Sequence, residues 1–271
     1  MVLNIKECTY IEGPPRSNLT GAILVLSVIT LLSLVFVIPN AAGMMIYAVL
    51  AGILALSIII KAKYAIHTTL FVFLWLLLVN LIPQLQIWPL SLFVPLVVYG
   101  LGVSTITPLR QSIGWIHWGR IDQQVARSMI VTVLLASASL IAWALLTKPD
   151  LKHHLALIPD LPFWVYPIAG IGFGIFNALM EEIIFRGILM ETLDSALGAR
   201  HLSMTIQAVP FAALHYLAGF PNGPLGAAMV FVYGVMLGYT RRQSKGMLAP
   251  LLTHIIADLT IFAILTATIF G

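Results

Sequence analysis

Residues 19–38 read LTGAILVLSVITLLSLVFVI, a run of twenty residues without a charged side chain. A transmembrane helix needs roughly 20 apolar residues, whereas the apolar part of a cleavable signal peptide has only roughly 7–15. The residues before the run are polar, with charges at Lys6, Glu7, Glu12 and Arg16. The run therefore predicts a retained transmembrane helix, and no cleavable signal peptide is evident.

The rest of the chain has the same apolar character. Of its 271 residues, 60% are hydrophobic and only 9% are charged, and the mean hydropathy is +1.02. Because a soluble domain carries roughly 25% charged residues, most of the surface is expected to face lipid. The net charge of +4 does not indicate nucleic-acid binding, since Trp115, Trp118 and Arg120 are expected at the headgroup level. The single cysteine, Cys8, excludes an internal disulfide and a multi-cysteine metal site.

Charges, prolines and glycines divide the chain into nine apolar segments. Their lengths and composition predict an all-α fold, a polytopic membrane bundle of about eight or nine transmembrane helices. The segments are 19–38, 41–60, 65–82, 85–106, 127–147, 163–193, 202–218, 223–240 and 246–270.

The basic residues predict how these segments are oriented. With nine crossings and a cytoplasmic N-terminus, eleven lysines and arginines fall on the cytoplasmic side, and only Lys148 and Lys152 fall on the other. The positive-inside rule favours this arrangement, and it predicts a multi-pass protein of the plasma or inner membrane with an external C-terminus. The eleven are Lys6, Arg16, Lys61, Lys63, Arg110, Arg120, Arg127, Arg200, Arg241, Arg242 and Lys245.

Costly polar side chains within the segments are concentrated near the C-terminus. A charged residue inside a membrane span costs about 2.5–3.5 kcal/mol on insertion scales and is a functional candidate by default. Packing between helices can be achieved more cheaply with Gly, Ser and Thr. The candidates are Glu181, Glu182 and Arg186 in the sixth segment, His215 with Phe211 one turn earlier in the seventh, and His254 and Asp258 in the ninth.

Helical spacing assigns a direction to each group in the sixth segment. Glu182 and Arg186 are four residues apart, so they share a face and can neutralise each other. Glu181 is rotated by about 100° from Glu182 and shares its own face with Asn177. Small residues between Gly170 and Gly174 favour close helix packing and not a dinucleotide site, because no strand precedes them.

The depths of the candidate residues predict that they converge. At about 1.5 Å per residue, Glu181 and His215 lie about 20 Å, and His254 about 12 Å, from the cytoplasmic ends of their helices. We therefore expect one polar cavity that opens to the cytosol. The isolated polar residues His67 and Asn80 are interpreted as contacts that hold helices together.

The motifs resemble those of a known family. Glu181-Glu182-x-x-x-Arg186, Phe211-x-x-x-His215 and His254-x-x-x-Asp258, in this order, are similar to the CPBP family. These are intramembrane glutamic endopeptidases related to the Rce1-type CAAX prenyl proteases and the bacterial Abi proteins. The resemblance covers about 160–265. It implies a catalytic helical core at 160–270, which residues 1–150 extend with N-terminal transmembrane helices into one integrated membrane domain.

The resemblance also implies roles for the residues and a class of substrate. Glu181 would activate water held by His215, and His254 with the residue at 258 would stabilise the oxyanion. Glu182 and Arg186 would organise the site, supported by Asn177 and Phe211. The substrate would be a membrane-associated protein or peptide, and no cofactor is implied. In the CAAX proteases the last position is Asn, a hydrogen-bond donor, whereas an ionised Asp258 cannot donate. Either Asp258 is protonated in its low-dielectric site, or it orients His254 and leaves donation to that ring. This departure weakens the case for CAAX specificity.

Two other functions remain open on the sequence alone. Glu181, His215, His254 and Asp258 offer the nitrogen and oxygen ligands of a zinc protease, although no His-Glu-x-x-His string is present. A non-catalytic scaffold, immunity protein or ion-coupled carrier is the other alternative. The sequence does not specify the substrate, its lipidation or the oligomeric state.

Overall fold

The computed structural model describes residues 19–38, 43–198 and 200–270. Nine long helices run through these ranges and correspond one to one with the nine apolar segments. They are α1 (Leu19–Val37), α2 (Met44–Ile59), α3 (Lys63–Leu81), α4 (Leu90–Thr105), α5 (Gln123–Thr147), α6 (Phe163–Leu197), α7 (Arg200–Ala218), α8 (Gly223–Ser244) and α9 (Leu248–Phe270). The interpretations that concern Lys6, Glu7, Cys8, Glu12 and Arg16 fall outside the described residues.

The described residues form a helical membrane bundle without strands, which confirms the all-α fold class. Six of its helices are long and apolar enough to cross a membrane: α1, α3, α5, α6, α8 and α9. The apolar helices α2 and α4 have only 16 residues each, and α7 is not among the six. The structure thus supports a multi-pass bundle, while the count of eight or nine crossings stays a prediction.

Local sequence explains where several helices begin and end. The side chain of Asp122 caps α5 by accepting hydrogen bonds from the amides of Gln124 and Val125, both at 3.0 Å. The fourth segment was expected to begin near residue 85. Instead, a short 3₁₀ turn at Pro83–Gln86 precedes α4, which starts directly after Pro89 because proline fits the first turn of a helix better than its interior.

The loops gather at two ends of the bundle. At one end the segment 111–122 crosses the α8–α9 turn, where the Arg120 amide donates to Ser244 O at 2.9 Å and the Met247 amide donates to His117 O at 2.9 Å. At the other end His154, which follows α5, lies 3.2 Å from the carbonyl oxygen of Gly219, which follows α7. Each pair joins two loops that would lie at the same end of the bundle if successive long helices run in opposite directions.

The N-terminal helices and the C-terminal helices share one apolar core. Buried residues of α1 and α3, such as Leu32 and Phe71, belong to the same cluster as Phe185 and Leu189 of α6 and Phe211 of α7. The helices that carry the polar motifs are therefore braced by the N-terminal helices, which positions the site described next.

Candidate active site

The site is centred on an irregular part of α6. The chain is α-helical over Tyr166–Glu181, widens to a π-helix over Glu182–Leu189, and returns to α-helix over Met190–Leu197. A π-helical stretch inside an α-helix is rare and is frequently found at functional sites. Glu181 and Glu182 stand at the junction between the two geometries, and this irregularity was not foreseen from the sequence.

Glu182 and Arg186 form a buried ion pair, as their spacing predicted. Arg186 Nη1 donates to Glu182 Oε1 at 3.0 Å, and both side chains are 0–1% exposed. The other guanidinium nitrogen, Nη2, donates to the carbonyl oxygen of Gly234 on α8 at 3.3 Å. Since Gln207 Nε2 also donates to Gly234 O at 2.8 Å, this carbonyl ties α6 and α7 to α8.

His254 brings α9 into contact with both glutamates. Its Nδ1 lies 2.7 Å from Glu182 Oε1, and its Nε2 lies 3.4 Å from Glu181 Oε2 and 3.7 Å from Asp258 Oδ1. An ionised Glu182, already paired with Arg186, can only accept, so Nδ1 carries a proton. Nε2 thus faces the carboxylates of Glu181 and Asp258 and can share a proton with them.

Asp258 is held by a chain of hydrogen bonds that leads to the loop before α4. Asn177 Nδ2 donates to Asp258 Oδ2 at 3.2 Å, and Trp88 Nε1 donates to Asn177 Oδ1 at 3.0 Å. Because the indole nitrogen can only donate, it fixes the orientation of the Asn177 amide. Close packing of α6 on α9 permits this contact: a Cβ on Gly174 would lie 3.3 Å from Ile255 O.

Phe211 joins the histidine of α7 to the rest of the cluster. The Arg186 guanidinium lies 4.5 Å above the Phe211 ring, a favourable cation–π contact. The same ring lies edge-on to His215 and His254, with centroids 5.0 and 6.0 Å apart. His215 Nδ1 lies 2.9 Å from Phe211 O.

A cavity of about 440 Å³ lies beside this cluster. His215, His254 and Asp258 line it, whereas Glu181 stands behind His254 and is 5% exposed. The rest of the wall is mostly apolar, as in most small-molecule sites. Its lining residues are Leu135, Ala136, Ser139, Leu140, Phe211, His215, Phe220, Pro221, Ala228, Met229, Val230, Val232, Tyr233, Met236, His254, Ala257, Asp258 and Ile261.

The lining of the cavity bears on the predicted opening to the cytosol. It contains no residue from 111–122 or from the α8–α9 turn, where the basic residues gather, but it includes Phe220 and Pro221 from the opposite end. Two further lining residues, Leu135 of α5 and Val232 of α8, are 53% and 57% exposed. Exposed apolar side chains of α5 and α8 thus form part of the wall, and the opening to the cytosol stays a prediction.

The predicted site residues do come together, and the structure adds others. Glu181, Glu182, Arg186, Asn177, Phe211, His215, His254 and Asp258 form one continuous set of contacts. Sequence reasoning missed Trp88 and Tyr233. Trp88 lies in a loop of the N-terminal half, and Tyr233 carries no charge and lies in an ordinary apolar helix, so neither had a motif to mark it.

A comparison with known families matches the part of the chain that contains this cluster. Residues 162–260 match a family model described as Rce1-like, the type II CAAX prenyl endopeptidases. Over these residues the chain is similar to this family. The match confirms the resemblance seen in the motifs and supports a hydrolase, a protease of the CAAX type, in a multi-pass membrane protein. No curated protein and no solved structure matches the chain.

The nitrogen and oxygen ligands predicted for a zinc protease do not form a metal group in the described part of the chain. No three His, Cys, Asp or Glu side chains there form a group that could hold a metal ion. Within the predicted ligand set, His254 Nε2 instead lies 3.4 Å from Glu181 Oε2 and 3.7 Å from Asp258 Oδ1.

Proposed function

We propose that the chain is an intramembrane glutamic endopeptidase in which Glu181 is the base that activates water. The observation that carries the proposal is the position of His254 Nε2, 3.4 Å from Glu181 and 3.7 Å from Asp258 at the edge of a cavity. A carboxylate of low exposure beside a polarising imidazole suits proton abstraction in a site shielded from bulk water.

The proposed reaction uses a water molecule held between Glu181 and His215. Glu181 takes a proton from this water as its oxygen attacks the scissile carbonyl carbon. The carbonyl oxygen becomes negative and is stabilised by the protonated Nε2 of His254. The C–N bond then breaks as Glu181 returns the proton to the leaving amine. Donors aimed at such an oxyanion contribute roughly 3–4 kcal/mol each to lowering the barrier.

Glu182 and Arg186 have an organising role in this proposal. Glu182 accepts from His254 Nδ1 at 2.7 Å, which orients the ring so that Nε2 faces the cavity. Arg186 donates to Glu182 and anchors it to α8 through Gly234 O. In the same way the carboxylate of a Ser-His-Asp triad orients the catalytic histidine and stabilises its imidazolium form.

The substrate proposed is a membrane-associated protein or peptide that enters from the bilayer. The apolar cavity reaches the surface between α5 and α8, where Leu135 and Val232 are exposed. A peptide carrying apolar groups could therefore pass from lipid to the site without crossing a polar surface. The family description names CAAX prenyl peptides, so a prenylated peptide is the first substrate to test.

We also propose nine crossings with a cytoplasmic N-terminus in the plasma or inner membrane. The grouping of loops at two ends supports this topology, as do Arg241 and Arg242 at the end of α8 beside Asp194 at the end of α6. Reporter fusions before Met1 and after Gly271 should report opposite sides of the membrane. Reporters on the same side would contradict an odd number of crossings.

The experiment that tests the peptidase compares Glu181→Gln with the wild type and with Glu191→Gln. All three are purified and given a quenched fluorescent peptide in prenylated and unprenylated forms. Glu191 lies on the same helix, outside the cavity, and accepts from the Gly114 amide at 2.7 Å, a bond that glutamine preserves. We expect cleavage by the wild type and Glu191→Gln, and none by Glu181→Gln.

Two outcomes would contradict this assignment. Cleavage that survives Glu181→Gln would remove Glu181 as the base, and loss of that remaining cleavage with a chelator would establish a metalloprotease. If the wild type cleaves neither peptide, the membrane proteins of cells with wild-type protein and with Glu181→Gln are compared by mass spectrometry. Identical profiles would favour a scaffold or immunity role.

A further inference from the structure

Tyr233 of α8 stands against the catalytic cluster without any assigned role. Its ring meets the His254 ring edge-on, with centroids 5.5 Å apart and an angle of 85° between planes. The side chain also lines the cavity, together with His215, His254 and Asp258. A tyrosine in this position touches both the substrate space and the histidine assigned to the oxyanion.

The hydroxyl of Tyr233 has an unusual environment. It is buried and has no hydrogen-bond partner among the described residues. Its ring packs against His254, which itself lies within 3.7 Å of the carboxylates of Glu181, Glu182 and Asp258. Buried hydroxyls are nearly always paired, so an unpaired one within a charged cluster needs an explanation.

The composition of the site supplies that explanation. Oxyanion stabilisation needs hydrogen-bond donors, and an ionised Asp258 cannot donate. Asp258 also accepts a hydrogen bond from Asn177, as expected of a carboxylate. His254 Nε2 is therefore the one nitrogen of that ring left to donate, and the position that carries Asn in the CAAX proteases contributes no donor here.

We propose that the Tyr233 hydroxyl is a second oxyanion donor, which replaces the donor that Asp258 lacks. The inference rests on the proposed function. In the free protein the hydroxyl is unsatisfied; when the tetrahedral intermediate forms, its O–H donates to the new oxyanion beside His254 Nε2. Catalytic hydrogen bonds often tighten only in the complex, which fits a hydroxyl that is buried without a partner in a residue of the cavity wall.

Tyr233→Phe tests this role because it removes the hydroxyl and keeps the ring on His254. We expect kcat to fall about 100-fold, the loss typical of one oxyanion donor, with KM nearly unchanged. The melting temperature should stay the same or rise, since the hydroxyl removed has no partner in the free protein. Loss of activity with a stable fold is the combination that a structural tyrosine would not give.

Tyr99→Phe is the matched control. Tyr99 is also buried, but its hydroxyl lies 2.6 Å from His67 Nδ1, away from the cavity. This variant should lower the melting temperature and leave kcat unchanged, the reverse of Tyr233→Phe. A Tyr233→Phe variant that keeps kcat within about threefold of the wild type would overturn the proposal, as would one that loses stability and activity together.

Asp258→Asn provides the second test, made in the wild type and in Tyr233→Phe. Because asparagine restores a donor at position 258, it should recover activity at least about tenfold in the Tyr233→Phe background. Equal effects in both backgrounds would contradict the replacement of one donor by the other. Including Glu181→Gln separates the two proposals: if it is inactive while Tyr233→Phe is fully active, only the role of Tyr233 fails.

Discussion

Two buried histidines in this protein lie in contrasting environments. His67 on α3 is 7% exposed, and its ring nitrogens lie 2.6 Å from the Tyr99 hydroxyl and 2.9 Å from Ser112 Oγ. His254 on α9 is 3% exposed, but carboxylates surround it at 2.7, 3.4 and 3.7 Å. One ring is held by neutral hydroxyls and the other by charge.

The two clusters also differ in whether their polar atoms have hydrogen-bond partners. Among the described residues, every ring nitrogen and hydroxyl around His67 has a partner, whereas Glu182 Oε2, Arg186 Nε and the Tyr233 hydroxyl have none. A neutral network whose polar atoms are all paired makes the fold more rigid. Buried charged atoms without partners lower the free energy of unfolding. Such a cost is expected where the groups are needed for a reaction and not for stability alone.

We expect the largest effect on the charged cluster from removing Arg186. Arg186→Ala leaves the Glu182 charge buried without its partner, so we expect the free energy of unfolding to fall by about 3–5 kcal/mol, with loss of peptidase activity. Thermal unfolding in detergent measures the first effect. Glu182→Gln is the matched variant that leaves the Arg186 charge without its partner, and it should also lower the free energy of unfolding. Normal stability in Arg186→Ala would mean that Glu182 is not ionised.

Removing His67 should affect stability alone. His67→Phe keeps the volume of the ring but leaves the Tyr99 hydroxyl without its partner, at an expected cost of about 1–3 kcal/mol. Peptidase activity per folded molecule should be unchanged. The same unfolding and cleavage assays check both statements. A loss of turnover in the folded variant would show that the first cluster takes part in function.

Much of this arrangement could be predicted from the sequence because it follows from the period of the α-helix and from the free-energy cost of charged residues in membrane helices. The nine apolar segments correspond to nine helices, and the four-residue spacing of Glu182 and Arg186 brought them into contact at 3.0 Å. His67 is held by neighbouring helices, as expected. The depth of His254 in its helix placed it beside the glutamates, since rise per residue fixes depth along a helix.

What the sequence could not provide depends on contacts between distant segments. The bond from Trp88 to Asn177 joins residues 89 apart in sequence, and nothing local indicates it. Tyr233 stands out only because His254 packs against it. Loop 111–122 crosses the α8–α9 turn so closely that a Cβ on Gly246 would overlap the backbone of Gly119. No pattern in a single segment predicts such a crossing.

Asp258→Asn tests how much the charge of Asp258 beside His254 contributes to activity. If Tyr233 and His254 supply the oxyanion donors, the Asp258 charge is not essential, and the variant should keep activity within about tenfold, or about 1.4 kcal/mol. The asparagine can still accept from Asn177. Rates with the same fluorescent peptide measure the change. A much larger loss would indicate that the Asp258 charge itself is needed to keep His254 protonated.

The smallest expected effect comes from the end of the chain of hydrogen bonds. Trp88→Phe removes the indole donor to Asn177 but retains an aromatic ring against Phe173, whose centroid lies 5.3 Å from that of Trp88. Without this donor the Asn177 amide can reverse and turn its oxygen toward Asp258. A hydrogen bond of this kind contributes about 0.5–1.5 kcal/mol, so kcat should fall by roughly threefold to tenfold.

A positioning role for Trp88 requires that its effect pass through Asn177. In an Asn177→Ala background, Trp88→Phe should therefore cause no further loss of kcat, whereas independent effects would multiply. Melting temperatures of all three variants show whether the losses reflect unfolding. Multiplied losses in well-folded variants would place Trp88 outside the chain that holds Asp258. Its bond to Asn177 would then serve only to attach the loop before α4 to α6.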